Sequence, residues 1–125
     1  MILHSSFPDF ILFLYVHMSH ADSSYDPSEM ATIKSKMKGL YPEGTDIEKK
    51  LYLTIREYNA FDKSKLGDLF EETLGHFDLD VPKKNNVYND LYEIMQADGK
   101  VEKSETKTLE TLKQIIDLHA EKKAI

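Results

Sequence analysis

The chain has no cysteine. That absence excludes a disulfide framework, a thiolate zinc site and cysteine nucleophile chemistry. It also fits a reducing compartment, so a cytoplasmic location is expected. Basic residues are in deficit: 16 Lys and Arg stand against 22 Asp and Glu, a formal net charge of −6. A duplex nucleic-acid binder needs a basic face, so no nucleic-acid partner is expected, while cations and basic partners are admitted. Long hydrophobic runs are missing too. The strongest, Phe10-Ile11-Leu12-Phe13-Leu14-Tyr15-Val16, falls far short of the ~20 residues that span a bilayer. It lacks the basic flank and the small-residue cleavage site of a secretory signal. It reads as a central helix buried on most sides, with peripheral membrane association as the lesser reading. No window alternates apolar and polar residues at period two, which argues against a sheet. HExxH spacing, a glycine-rich phosphate loop and a nucleophile elbow are all absent, so a non-enzymatic protein is expected.

What is present is helical punctuation. At 125 residues the chain is expected to form one domain, residues 1–125, burying roughly two-thirds of its unfolded surface. Helix 1 is expected from Pro8 to His20, with proline tolerated in the first turn. Helix 2 has a full start signal: Asp26 as N-cap, Pro27 at the first helical position and Glu29 three residues after the cap. Its stripe is Ile33, Met37 and Leu40, with Lys34, Lys36 and Lys38 suiting the negative helix end and Gly39 a stop. Thr45 with Glu48 predicts a capping box opening helix 3, which carries Ile47, Leu51, Ile55 and Tyr58. A break at Asn59–Asp62 precedes helix 4, with Leu66, Leu69, Phe70 and Leu74 inward and Gly75 at its end. Helix 5 starts near Pro82, buries Val87, Leu91, Ile94 and Met95, and stops at Asp98-Gly99. Helix 6 carries Leu109, Leu112, Ile115 and Ile116. The expected fold is all-α: about six helices with short connections, packed as an antiparallel, bundle-like domain.

One stretch occurs twice. Ala21-Asp22-Ser23-Ser24-Tyr25-Asp26-Pro27-Ser28-Glu29 and Ala97-Asp98-Gly99-Lys100-Val101-Glu102-Lys103-Ser104-Glu105 are related by a constant offset (98 − 22 = 76 and 105 − 29 = 76). Each follows an apolar run and precedes an amphipathic one, so the domain reads as two related helix–acidic turn–helix halves. Capping accounts for Asp26 and Glu29, and for Glu105. It does not account for Asp22 and Asp98, each expected against the negative end of a helix, where a carboxylate is unfavourable. Glu102 is a poor N-cap. The six acids Asp22, Asp26, Glu29, Asp98, Glu102 and Glu105 are therefore candidate ligands for a hard divalent cation: calcium, magnesium or manganese, before zinc. The spacing is not that of an EF-hand, whose glutamate stands at the twelfth position rather than the eighth. Fewer oxygens per turn mean weak sites, or two turns sharing one cluster. His17 and His20 beside Asp22 form a secondary transition-metal cluster, and His76 with Asp78 and Asp80 a looser one; packing or turn formation is the plainer reading of both.

The repeated acidic turn, and Ala97-Asp98-Gly99-Lys100-Val101-Glu102-Lys103-Ser104-Glu105 above all, resembles the TerB-like family. That family includes tellurite-resistance TerB proteins and the related domain of DjlA-like co-chaperones. The resemblance implies an all-helical fold of two related halves, with Asp98 and Glu105, and their counterparts Asp22 and Glu29, as metal ligands. It also implies a place in a bacterial stress response rather than a defined reaction; a protein partner is expected for such an interaction module. Ser23, where glycine might stand, and Glu102, where a small cap is usual, depart from that pattern. Two alternatives remain open: an interaction domain whose acidic turns are only helix caps, and a metal-dependent hydrolase, in which a cation would activate water. Exposed tyrosines among Tyr41, Tyr52, Tyr58, Tyr88 and Tyr92 would favour an interaction surface.

Overall fold

The computed structural model describes residues 6–19, 27–77, 81–97, 106–114 and 116. Five helices are α1 (Phe7–Ser19), α2 (Pro27–Met37), α3 (Ile47–Ala60), α4 (Leu66–His76) and α5 (Val81–Gln96). A 3-10 turn at Lys63–Lys65 leads into α4, and a sixth helix, α6, occupies 106–114. Among the described residues there is no strand. The fold is all-α, as the lack of period-two patterning predicts.

Helix α1 is the axis. Nine of its 13 residues are buried, including the whole run from Phe10 to Val16. A helix that is apolar on every side must be wrapped on every side, and here α2, α3 and α5 pack against it. The fourth neighbour, α4, meets it through aromatic rings: Phe70 lies 6.4 Å from Phe10 and 6.1 Å from Phe13, and Phe77 lies 5.7 Å from Phe10. Phe13 also meets Tyr58 and Phe61 edge-on at 5.6 and 5.8 Å.

Side-chain pairs fix the direction of each helix. Asp9 meets Lys50 and His17 meets Tyr58, so α3 runs parallel to α1. Lys83 sits over the ring of Phe7 and Tyr15 bonds Asp90, so α5 is also parallel to α1. Tyr41, just beyond α2, returns to Asp9 near the start of α1, so α2 is antiparallel. Phe70 near His17 and Phe77 near Phe7 make α4 antiparallel. Tyr88 donates to the Lys113 carbonyl at 3.2 Å, placing α6 against α5. Helices α1, α3 and α5 therefore run one way and α2 and α4 the other.

Two local expectations need correction. The cap of α3 is Asp46, whose carboxylate accepts from the Lys49 amide at 3.1 Å. Thr45 instead donates its hydroxyl to the Pro42 carbonyl at 2.7 Å, closing the preceding turn. Aspartate is the stronger cap, and it wins the position. Helix α4 passes through Gly75 to His76, with Phe77 as its C-cap. The turn before α3 takes its left-handed residue at Gly44, φ +88°, a conformation that glycine adopts without the Cβ clash.

Candidate functional site

The directions of α1 and α5 bear on the two acidic turns. Both helices run the same way and pack side by side, so Ser19 and Ala97, the last described residues before each turn, lie at the same end of the bundle. Antiparallel α2 starts at that end with Pro27. The offset of 76 places each buried residue of α5 on a buried residue of α1: Val87 on Ile11, Leu91 on Tyr15, Ile94 on Met18 and Met95 on Ser19. After the turn it places Leu109 on Ile33, both buried. The correspondence lapses at Lys36, whose equivalent is the buried Leu112.

Of the six candidate ligands, Glu29 is the one within the described residues. Asp22, Asp26, Asp98, Glu102 and Glu105 lie outside them, as do His20, Asp78 and Asp80. Among the described residues no group of three or more His, Cys, Asp or Glu is placed to hold a metal ion. Glu29, in the first turn of α2, is 0% exposed. Spacing marked it as a capping residue but did not predict this burial, which is costly for a carboxylate unless compensated. Ser19, at the end of α1, is equally buried, and its Oγ has no hydrogen-bond partner among the described residues. His17 bonds through Nδ1 with the Tyr58 hydroxyl at 2.8 Å and meets the Phe70 ring at 5.1 Å. His76 is exposed and rests on Phe77.

The best-formed described polar constellation lies between α1, α2 and α5, where sequence reasoning placed none. Tyr15 donates to Asp90 Oδ2 at 2.7 Å, Lys36 Nζ lies 3.5 Å from Asp90 Oδ1, and Lys36 also pairs with Glu93. These groups line a groove of about 570 Å³ whose floor is Phe7, Ile11 and Tyr15. Burial, then the hydrogen bond to Asp90 and its negative charge, push the Tyr15 phenol far above its usual range. The hydrogen bond to Glu93 leads the effects that raise Lys36. Chemically, this is a protonated phenol and an ammonium sharing carboxylates, a donor lattice that ties three helices together. Only Asp90 and Glu93, three apart on α5 and thus on one face, hinted at it in the sequence. Tyr15 sat in an apolar run, and Lys36 was assigned to a helix end.

A second Tyr–Asp–Lys set ties the other end of α1. Tyr41 donates to Asp9, Lys50 lies 3.5 Å from the same carboxylate, and its ammonium stands 5.4 Å from the Tyr41 ring centroid. Burial leads the causes that raise the Tyr41 phenol, followed by its bond to Asp9. Asp62, before the 3-10 turn, accepts from the Ser64 hydroxyl and amide at 2.7 and 3.0 Å, which holds its carboxyl below the usual range.

Comparison with protein-family models, with curated proteins and with solved structures finds no match. No helix among the described residues is long and apolar enough to cross a membrane.

Proposed function

We propose that the chain is a TerB-like, non-enzymatic interaction module of a bacterial stress response, in which the two acidic turns hold a divalent cation: calcium, magnesium or manganese. On this reading Asp22, Asp26 and Glu29 act with Asp98, Glu102 and Glu105, and the module works in the cytoplasm with a protein partner. The observation that carries it is the parallel packing of α1 and α5, which delivers the helix ends preceding both turns to one end of the bundle. A cluster shared between two ligand-poor turns requires that topology; had α1 and α5 run antiparallel, the turns would leave opposite ends.

The test is isothermal titration calorimetry of the full chain with calcium, magnesium, manganese and zinc at up to millimolar concentration. The proposal expects one cation per chain, with the hard cations preferred over zinc. Absence of heat with every cation removes the metal site and leaves a helical module with well-made caps. Asp46 and Asp62 already illustrate that alternative, each capping a helix or turn with its own carboxylate.

A further inference from the structure

We propose that the outward face of α3 is a docking surface for an acidic peptide segment carrying an apolar anchor. Two large apolar side chains stand in solvent there, Tyr52 at 61% and Leu53 at 48% exposure. Lys49 and Arg56, both exposed, flank them along the helix. These four residues fall at i, i+3, i+4 and i+7, one face of a helix, opposite the buried Leu51 and Tyr58. Neither cation forms an ion pair among the described residues. The preceding carboxylate, Glu48, stands 3.7 Å from Lys34 on α2. The four face residues thus carry two cations and no carboxylate, on a chain of net charge −6.

Tyrosine and arginine are the side chains that most often carry binding energy at protein interfaces. An unneutralised Lys–Arg pair around them selects for carboxylates and speeds encounter with an acidic partner. An anionic membrane is the poorer fit, because two cations are few against the repulsion of six net negative charges. This inference rests on the interaction-module half of the proposed function and is independent of its metal half.

A random twelve-residue peptide library displayed on phage, selected against the immobilised full chain, tests it, with anisotropy titration of the recovered peptides. The expected peptides carry aspartate or glutamate around a leucine or aromatic residue. Lys49→Glu with Arg56→Glu should weaken them by at least about tenfold, and Tyr52→Ala should do so separately. Glu110→Lys on α6 should leave them unchanged. Lys49, Tyr52 and Arg56 are exposed, and thermal melts verify that each variant folds. Peptides that bind all variants alike, or that carry no acidic residues, overturn the α3 face while sparing the module reading; failure to enrich any peptide overturns both. Two further results also overturn the proposal: binding to phosphatidylserine vesicles that the charge reversals abolish, and self-association that they abolish.

Discussion

Replacing Tyr15 with phenylalanine removes one oxygen and leaves the ring in place, so it isolates the hydroxyl that joins α1 to α5. The donor lost is the 2.7 Å bond to Asp90 Oδ2. Hydrogen bonds to charged groups are worth about 1.5–3 kcal/mol. Asp90 keeps Lys36 at 3.5 Å, and its side chain is 23% exposed, so water recovers part of the loss. The expected cost at pH 7 is about 1–2 kcal/mol, or a fall in melting temperature of roughly 3–5 °C per kcal/mol for a chain of this size. Alkali supplies the sharper check. The folded chain keeps the Tyr15 phenol protonated above its ordinary value, so the native state binds more protons than the unfolded chain once the pH passes about 10. Stability from this group is complete below that pH. It is then lost by up to about 1.4 kcal/mol per pH unit as the pH rises. Because Tyr15→Phe has no such proton to hold, the gap between wild type and variant should narrow from pH 9 to pH 11. Urea unfolding followed by circular dichroism at each pH measures it. A gap that stays constant through pH 11, or a variant as stable as wild type at pH 7, would show that the hydroxyl does not link the helices.

Asp46→Ala removes the α3 cap and should cost about 1 kcal/mol, whereas Thr45→Ala should cost less; a chemical-denaturation pair distinguishes them. Phe13→Ala empties the meeting point of Tyr58, Phe61 and Phe70 and should cost about 3–5 kcal/mol in the same assay. Gly44→Ala, at φ +88°, should destabilise by about 1 kcal/mol through backbone strain alone, since a Cβ there meets no neighbouring atom.

Amphipathic segments were the most legible part of the sequence. The stripe Val87, Leu91, Ile94 and Met95 is buried as its spacing requires, and Leu109, Leu112 and Ile116 follow the same rule. Pro27 does open α2. Helix α1 was legible as the central helix, but its neighbours were not. A segment apolar on all sides has no preferred face, so periodicity says nothing about which helix meets which side. The Tyr15–Asp90–Lys36–Glu93 lattice was illegible for a related reason: its partners are far apart in sequence, and only tertiary packing brings them together. The burial of Glu29 escaped notice because a capping signal reports local backbone geometry and not what a neighbouring helix covers. Tyr52 and Tyr92 stay exposed while Tyr58 is buried, a difference set by helix phase against α1.

The central claim is that one cation links both acidic turns. It is tested most directly by thermal melts of wild type, Asp22→Asn, Asp98→Asn and the double variant, each with chelator and with excess calcium, magnesium or manganese. A cation at about 100 times its dissociation constant stabilises the folded chain by about 2.7 kcal/mol. Either single substitution should remove nearly all of the cation-dependent rise in melting temperature, and the double variant should lose nothing more. Two half-sized, additive losses would mean separate sites, and a wild-type melt that no cation moves would contradict the claim outright.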